Sequence, residues 1–340
     1  MIQKEMFKNK VILVTGGTGS FGNFITKRLF EMGVKEIRIF SRDEKKQYDM
    51  RLHYKNDSRL KFFIGDIRNP QRVEEVMSGV NIVYQAAALK QVPACEHAPF
   101  EAIQTNVLGV QNIITAALKY GVEKVVTVST DKAVKPVNVM GMTKALQERL
   151  IINANHSPQN KGTKFCVVRY GNVLQSRGSV VPFFRRQLSE GEQLTITDEG
   201  MTRFLLTLGD AIDLVIFATE NSNGGETFVK KAPTTKIITI ADVLSQEIGK
   251  KLDYRVIGKY PGEKLHEILI TEEELIRTQD MGDFYKVNPY WIDKKFTDIT
   301  EEYGSGINLI EDQQSIKTLI SRSDDEMLGV SIEKGEFSKI

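Results

Sequence analysis

The chain has 340 residues, of which 41% are hydrophobic and 26% charged, as is usual for a globular protein and unlike a disordered or fibrous one. Its 46 basic and 44 acidic side chains leave a formal net charge of +2, so no overall field attracts nucleic acid or an anionic membrane. Cys95 and Cys166 are far apart and lack metal-type spacing, so we expect reduced cysteines, no bound metal and no nucleic-acid partner.

The N-terminal residues 1–10 mix charged and apolar side chains and lack the apolar stretch of a signal peptide. No apolar run approaches the ~20 residues that a membrane span requires. We therefore expect a cytoplasmic protein without a membrane partner. The length suggests roughly two domains of about 150 residues each.

Short β-branched runs alternate with helical patterns as far as Tyr170. Strands are predicted at Val11–Thr15, Glu36–Phe40, Lys61–Gly65, Asn81–Gln85, Lys124–Ser129 and Lys164–Tyr170. Phe21–Met32 and Ala102–Tyr120 are predicted helices, because their apolar residues recur every three to four positions. This alternation predicts an α/β fold with a Rossmann-type doubly wound parallel sheet.

Beyond Tyr170 the pattern is less regular, and we expect substrate-binding loops between residues 171 and 203. A helix is predicted at Leu205–Glu220 and a last strand at Glu226–Lys230. The predicted division is therefore discontinuous. Residues 1–171 and 204–232 form an NAD(P)-binding Rossmann domain, residues 172–203 and 233–289 form a smaller α/β substrate-binding domain, and residues 290–340 form a tail without an assigned role.

The first predicted strand is followed by a glycine-rich turn, Gly-Gly-Thr-Gly-Ser-Phe-Gly, and then by a helix. Gly16 permits a tight turn, Gly19 lets the backbone approach a pyrophosphate, and Gly22 lets the helix pack against the strand. Because strand, turn and helix occur in this order, the pattern predicts a dinucleotide site at the helix N-terminus. Its predicted contacts are Gly16, Thr18, Gly19, Ser20, Phe21 and Gly22.

The ends of the next strands supply further predicted cofactor contacts. Ser41, Arg42 and Lys45 follow the second strand, where basic side chains suit a 2′-phosphate and favour NADP. Asp43 leaves NAD as the alternative, because it could bind ribose hydroxyls. Asp66 ends the third strand and is a candidate acceptor for the adenine amino group. The remaining predicted contacts are Ile67, Ala86, Ala87, Ala88, Lys144 and Tyr170.

Several motifs together resemble one family. TGGTGSFG, GDIR, AAALKQVP, TNVLG, STDKAV, RYGN, SRGSV, LTITD, MTRF and the helix that carries Lys144 resemble the extended short-chain dehydrogenase/reductases, specifically the inverting UDP-N-acetylglucosamine 4,6-dehydratases. The resemblance covers about Asn9 to Asp283. It implies a sugar oxidised at C4, dehydrated across C5–C6 and reduced at C6, for capsule or O-antigen polysaccharide. It also implies a tightly bound NADP, regenerated in each cycle, and a homo-oligomer, either dimer or hexamer.

The resemblance implies catalytic roles for residues after the fifth predicted strand, where open α/β sheets bind ligands. Lys132 is expected to be the base at C5 and Asp131 the acid at C6, while Thr130 contacts O4. Lys144 is expected to hold the nicotinamide ribose. The tyrosine of the superfamily is replaced by Met140, whose thioether neither donates nor accepts a proton.

The loss of that tyrosine leaves the acceptor of the O4 proton open. One route is an ordered water that passes the proton to Lys144, and the other is Asp131 acting through Thr130. Met140 also fits an inactive relative of these enzymes.

A sugar nucleotide's diphosphate requires cations, and the arginine fork matches phosphate oxygens in pairs. Arg177 and Arg203 are the candidates. The late segment GEKLHE resembles the family's nucleotide-binding motif, with Glu263 on ribose hydroxyls, and Tyr260 stands where relatives carry arginine. The predicted substrate contacts are Lys90, Asn172, Arg177, Ser179, Val180, Thr195, Arg203, Tyr260 and Glu263.

The predicted partner is UDP-N-acetylglucosamine or a related UDP-sugar, and two other functions stay open. A UDP-sugar 4-epimerase shares the oxidation at C4 but leaves C6 untouched, so it has no elimination for Asp131 and Lys132 to perform. A non-catalytic NADP-binding regulator could use the same fold, because a fold does not determine function.

Overall fold

The predicted alternation of strands and helices is present in the computed structural model of the chain, which describes residues 4–175, 178–292, 296 and 301–328. The strands are β1 (Val11–Thr15), β2 (Glu36–Ser41), β3 (Leu60–Ile64), β4 (Ile82–Gln85), β5 (Lys124–Thr130), β6 (Lys164–Tyr170), β7 (Asn172–Val173), β8 (Leu194–Ile196), β9 (Thr202–Leu206), β10 (Thr227–Lys230), β11 (Thr234–Lys236), β12 (Tyr254–Val256), β13 (Ile268–Ile270), β14 (Thr278–Asp280), β15 (Phe284–Val287) and β16 (Tyr303–Gly304). The α-helices are α1 (Lys4–Phe7), α2 (Ser20–Glu31), α3 (Glu44–His53), α4 (Pro70–Met77), α5 (Val92–His97), α6 (Pro99–Ala102), α7 (Gly109–Tyr120), α8 (Val139–Asn153), α9 (Val180–Ser189), α10 (Leu208–Asn221), α11 (Ile237–Glu247), α12 (Glu272–Leu275) and α13 (Gln313–Leu328). Within the described ranges, no helix has both the length and the apolar character needed to span a membrane.

Among the described residues, nine strands form one sheet in the order β14-β15-β10-β6-β5-β4-β1-β2-β3. In this order, all neighbouring strands between β10 and β3 pair in parallel, whereas β14 and β15 at the other edge pair antiparallel. Their order is the Rossmann arrangement, in which the chain reverses direction across the sheet between β1 and β4 and leaves a crevice for ligands. The predicted Rossmann-type doubly wound parallel sheet is confirmed.

The sheet extends further than the sequence pattern indicates. The pattern predicts a last strand of the first domain at Glu226–Lys230 and further short helices and strands from Thr235 to about Pro289. Two of these later strands join the large sheet, since β15 pairs antiparallel with β10, and β14 pairs antiparallel with β15. Both added strands lie in the 233–289 segment assigned to the smaller domain, and the domain division itself stays a prediction. The predicted helix Leu205–Glu220 begins later, at Leu208, because Thr207 and Asp210 form a capping box there.

The predicted helix Ala102–Tyr120 is divided in two. Residues Ile103–Leu108 form a π-helical turn, and α7 continues from Gly109. Such turns occur frequently at functional sites. Asn106 lies in this turn, where its Oδ1 accepts a hydrogen bond from Leu89 N at 2.8 Å and its Nδ2 donates to Leu89 O at 3.0 Å. The turn therefore anchors the loop that follows β4.

Hydrophobic cores cover both faces of the large sheet. On one face, Leu29 of α2 and Ile212 of α10 pack against strand residues. On the other face, Val73 of α4 and Ile113 of α7 do the same. A further core joins α9 and α11 to Ile316 of α13. Part of the tail without an assigned role is therefore packed against the region after the main parallel strands.

A buried ion-pair network joins four elements. Arg169 of β6 contacts Glu148 of α8 at 2.6 Å and Glu274 of α12 at 2.8 Å. Its Nη1 also donates to Leu269 O of β13 at 3.1 Å. Buried charges are tolerated where partners and hydrogen bonds compensate for lost hydration. The network therefore holds α8, β6, β13 and α12 in one arrangement.

We predict that Arg169→Met lowers the free energy of unfolding by about 3–5 kcal/mol, because it leaves two carboxylates buried without their cation. Urea denaturation followed by circular dichroism measures the change. The control is Lys119→Met, which breaks an exposed ion pair with Glu74 and should change stability little. Equal stability of the two variants would contradict the prediction.

Candidate active site

The carboxyl ends of the parallel strands open into one cleft of about 1240 Å³. A pocket for a single small ligand has about 300–1,000 Å³. The cleft is lined by the glycine-rich turn, the ends of β2 to β6, the beginning of α8 and the segment 260–263. It has room for a dinucleotide and a second ligand.

The glycine-rich turn is closely packed where the sequence requires glycine. Gly16 has a φ of +64°, and a Cβ added there would lie 3.0 Å from the backbone of Ala87. A Cβ on Gly22 would lie 2.1 Å from Gly17 O, so α2 packs closely against the turn itself. A Cβ on Gly19 would approach only Gly16 O, at 3.3 Å. The backbone at Gly19 is therefore accessible from the cleft.

The loop after β4 is held beside this turn by Thr15. The Thr15 Oγ1 accepts hydrogen bonds from the backbone N–H groups of Ala86 and Ala87, each at 3.1 Å, and donates to Gln85 Oε1. Ala86, Ala87 and Ala88 all line the cleft. Their small side chains leave the backbone open to a flat ligand.

The charged residues after β2 have separate positions. Asp43 caps α3, since its Oδ1 accepts a hydrogen bond from Lys46 N at 3.0 Å. Hydrogen bonds from Lys46 lower the pKa of Asp43 below its usual value. Arg42 and Lys46 line the cleft with Ser41, whereas the predicted Lys45 does not.

Asp66 lines the cleft beside Ile67, but Arg68 already binds its carboxylate. Asp66 Oδ1 accepts from Arg68 N at 2.9 Å, and Oδ2 accepts from Nη2 at 2.7 Å. Burial opposes ionisation, but these hydrogen bonds outweigh it and lower the pKa of Asp66. A carboxylate has about four acceptor positions, so an adenine amino group could still bind.

Asp131 and Lys132 lie side by side in the cleft. They begin a short 3₁₀ turn directly after β5. Asp131 is fully buried, and its Oδ1 accepts from Thr130 Oγ1 at 2.8 Å and from Lys132 Nζ at 3.1 Å. Its Oδ2 has no hydrogen-bond partner among the described residues and faces Gly171, where an added Cβ would come within 3.3 Å of it.

Lys132 has a second carboxylate neighbour, Glu267, whose Oε1 lies 3.1 Å from Lys132 Nζ. Burial opposes the charge of Lys132, but Asp131 and Glu267 outweigh it and raise the lysine pKa. Burial raises the pKa of Asp131, and the charge of Glu267 adds to this effect. Burial would also raise the pKa of Glu267, but Lys132, Arg203 and Lys264 outweigh it and lower that pKa.

The position of Glu267 was not predicted from the sequence. The motif analysis assigns Glu263 as the functional acid of this segment. Glu263 lines the cleft and accepts a hydrogen bond from Tyr260 N at 3.1 Å, but Glu267 is the acid that contacts Lys132. The sequence signal that could have identified Glu267 is its position as an acidic residue directly before the apolar strand Ile268–Ile270.

Helix α8 carries Met140 and Lys144 into the cleft. Met140 is buried against Cys95. Lys144 Nζ donates to Val128 O at 2.6 Å and to Gln147 Oε1 at 3.0 Å. Burial lowers the pKa of Lys144 to about 8. The amine can therefore lose its proton near neutral pH.

Tyr170 also lines the cleft, at the end of β6. Burial raises the pKa of its phenol above the usual value. Tyr170 therefore stays protonated at neutral pH and is poorly suited to replace the missing tyrosine as a base.

The predicted substrate residues are only partly brought together. Those that line the cleft are Lys90, Asn172, Ser179, Arg203, Tyr260 and Glu263. Val180 and Thr195 do not line it: Val180 begins α9, and the Thr195 hydroxyl accepts a hydrogen bond from Gln187 Nε2 at 3.2 Å. Arg177 lies outside the described residues. Among the described residues, no group of three or more His, Cys, Asp or Glu side chains is arranged to hold a metal ion.

Comparison with known proteins assigns the chain to a family. A family model described as polysaccharide biosynthesis protein matches residues 12–289. A protein of Rickettsia rickettsii named UDP-glucose 4-epimerase is 47% identical over 317 residues, which cover 92% of this chain and 93% of the relative. The X-ray structure of Pen from Bacillus thuringiensis is 36% identical and superposes with a TM-score of 0.88 over 94% of this chain and 98% of Pen. A dTDP-glucose 4,6-dehydratase from Streptomyces venezuelae shares the fold, with 21% identity and a TM-score of 0.68 over 75% of this chain and 86% of that one.

The Rossmann-order sheet and its glycine-rich turn define an extended short-chain dehydrogenase/reductase, of the class that includes nucleotide-sugar epimerases and dehydratases. Within that class, the chain belongs to the polysaccharide biosynthesis protein family.

We predict that titration of Lys144 changes stability above pH 8. The pKa of Lys144 is about 8 in the folded protein, below the ~10.4 of a lysine in the unfolded chain. At pH values between these two, the proton is bound in the unfolded state and lost from the folded state. The free energy of unfolding of the wild type minus that of Lys144→Met should therefore rise with pH between about 8 and 10. Urea denaturation of both ligand-free proteins across this range measures the difference. A constant difference would contradict the prediction.

Proposed function

We propose that this chain is a C5-inverting UDP-N-acetylglucosamine 4,6-dehydratase. The observation that supports this most strongly is the contact between the buried Asp131 and the partly buried Lys132 in the cleft. Loss of water across C5–C6 requires one group to take the C5 proton and another to protonate the departing hydroxyl. A carboxyl group and an amine in contact provide both.

The glycine-rich turn and the loop of alanines after β4 fit a nicotinamide dinucleotide, since both bring backbone close to the cleft. When bound, a nicotinamide would supply a hydride acceptor for C4 and a hydride donor for C6, and it would be regenerated in each cycle. Arg42 and Lys46 at the cleft support NADP, and Asp43, which also lines the cleft, caps α3 and pairs with Lys46 at 2.5 Å. NAD remains the alternative, and the Streptomyces venezuelae structure contains NAD.

The residues of the chain can carry each proton in this scheme. A ketone at C4 acidifies the C5 hydrogen, which Lys132 takes in its amine form. Asp131 in its acid form protonates the C6 hydroxyl, and burial favours that form. Lys144 is the proposed acceptor of the O4 proton, which an ordered water passes to it, while Thr130 contacts O4. Lys144 suits this role because its pKa is about 8, and Met140 cannot act as a base.

The substrate end of the cleft supports a nucleotide sugar. Arg203 provides a cation, and Asn172 and Ser179 provide polar groups near it. Tyr260 is exposed at the edge of the cleft, where its ring could stack on uracil, and Glu263 is the proposed ribose ligand. The name of the Rickettsia rickettsii relative supports a UDP-linked sugar. The family supports a product destined for polysaccharide, and we propose capsule or O-antigen.

Exposed apolar side chains support the proposal of a homo-oligomer. Leu108 of the π-helical turn and Met142 and Leu146 of α8 are each at least half exposed, and these two elements adjoin. Apolar side chains grouped on a surface favour association with another protein surface.

A UDP-glucose 4-epimerase is the second candidate, because relatives that are 46–49% identical carry that name. An epimerase would use the same cleft and the same oxidation at C4. In an epimerase, Asp131 and Lys132 would have no proton to transfer at C5 or C6.

We predict that UDP-N-acetylglucosamine deuterated at C4 yields a 4-keto-6-deoxy product with deuterium at C6, because hydride removed from C4 returns to C6. NMR of the product measures the position of the label. UDP-glucose deuterated at C4 serves as the comparison substrate. A C4 epimer that keeps deuterium at C4, without a deoxy product, would establish the epimerase and exclude the dehydratase.

We predict that Asp131→Asn lowers dehydration by about 10²–10⁴-fold, because an amide cannot protonate the leaving hydroxyl. Oxidation at C4 should persist, and the absorbance of reduced nicotinamide measures it alongside product formation. The control is Asp280→Asn, which alters an exposed ion pair with Lys231 outside the cleft and should leave both readouts unchanged. Dehydration at the wild-type rate in Asp131→Asn would refute the assigned role.

A further inference from the structure

Glu267 is a buried acid that the proposed chemistry does not yet use. It is 2% exposed and lines the cleft. Its Oε1 lies 3.1 Å from Lys132 Nζ, which also lies 3.1 Å from Asp131 Oδ1, so Lys132 contacts both carboxylates. Its Oε2 accepts no hydrogen bond among the described residues and lies 3.3 Å from Lys264 Nζ. Burial of this carboxylate costs hydration, and the nearby cations Lys132, Lys264 and Arg203 compensate for it.

The backbone of Glu267 is fixed from both sides by Ser305. Glu267 N donates to Ser305 Oγ at 2.8 Å, and Ser305 N donates to Glu267 O at 2.7 Å. The Ser305 hydroxyl also contacts Thr202 Oγ1 at 2.8 Å. The carboxylate of Glu267 is therefore presented to Lys132 from a rigid support.

We propose that Glu267 is a positioning residue that orients Lys132 towards the sugar and stabilises the ammonium that forms when Lys132 takes the C5 proton. This inference rests on the proposed dehydratase function. It assigns Glu267 to the acid–base chemistry, whereas the motif in which it occurs suggests nucleotide binding.

The proton balance of the step closes within two side chains, Lys132 and Asp131. In the resting pair, Lys132 carries the proton and Asp131 is ionised; transfer across their 3.1 Å contact gives the amine and the acid. Lys132 then takes the C5 proton, and the C5–H electron pair forms the C5–C6 double bond. The C6–O bond breaks, and its electrons leave with oxygen, which Asp131 protonates to give water. Lys132 ends as the ammonium and Asp131 as the carboxylate.

Glu267 stays ionised throughout this cycle. The charged groups that face Lys132 are Asp131 from its own turn, Glu267 before β13 and Arg203 from β9. Of these, Arg203 opposes an ammonium, so Glu267 is the one group besides the reacting acid that favours it among the described residues. Its negative charge favours the ammonium in the resting pair and again after Lys132 has taken the C5 proton, so the pair of Asp131 and Lys132 keeps its one proton to higher pH.

The test is Glu267→Gln in the full-length protein with UDP-N-acetylglucosamine, which keeps the shape of the side chain and removes its charge. We expect kcat for dehydration to fall by about 10- to 100-fold, the range for loss of one charged hydrogen bond. Reduced nicotinamide should still form, because C4 oxidation does not involve Lys132. Exchange of the C5 hydrogen with D₂O, followed by NMR, should slow in parallel with dehydration.

The pH dependence separates an electrostatic role from a structural one. Removing the carboxylate should lower the pKa of Lys132 and move the alkaline limb of kcat to lower pH by about one unit or more. Glu267→Asp retains the charge, so the alkaline limb of its kcat should lie close to the pH at which the wild type shows it. The matched control is Glu272→Gln, whose exposed partner is Lys135, and it should leave rate and limb unchanged.

Three results would overturn the inference: an unshifted alkaline limb in Glu267→Gln, C5 exchange at the wild-type rate, or loss of C4 oxidation together with dehydration. The last result would indicate a collapsed site rather than a selective effect. Failure of the proposed function is recognised separately, because the wild type itself would then show no exchange at C5 and no deoxy product.

Discussion

The buried guanidinium of Arg169 is the interaction on which the geometry of the cleft depends most. It binds one carboxylate on the helix that carries Met140 and Lys144 and another on the short helix after β13. It also binds the carbonyl of Leu269, two residues beyond Glu267. A single planar cation thus fixes the distance between the two sides of the cleft. Its five donors suit this role better than the single ammonium of lysine.

Much of the fold could be predicted because the deciding information is local. The strands β1 and β6 begin and end at the predicted residues, since continuous apolar runs bounded by polar turns define buried parallel strands. Short strands were expected in the region of β14 and β15, but their bounds and their pairing with the large sheet were not, because Gln279 and Lys286 interrupt any apolar run there. The π-helical turn was missed too, because its apolar spacing differs little from that of an α-helix.

In the candidate site, too, the residues that could be located are those determined by local sequence. Residues directly after a strand, such as Asp131, could be located because the carboxyl ends of parallel strands lie at one edge of the sheet. Glu267 could not, because its partner Lys132 is distant in sequence and only the folded chain brings them together. Thr195 was assigned to the ligand from a motif alone; it does not line the cleft, and its hydroxyl is engaged with Gln187. Lys144 and Met140 both line the cleft, because helical spacing puts them on one face.

The two hydrogen bonds between Ser305 and Glu267 bear on how the protein is made. Domains emerge from the ribosome starting at the N-terminus, and early segments fold before late ones are synthesised. The glycine-rich turn and all the parallel strands precede Glu267, whereas Ser305 and the helix α13 come last. During translation, the surface for the dinucleotide is therefore complete well before the acid beside Lys132 is locked in place. In the proposed dehydratase, the ligand surface would thus be synthesised before the segment that fixes the acid beside Lys132.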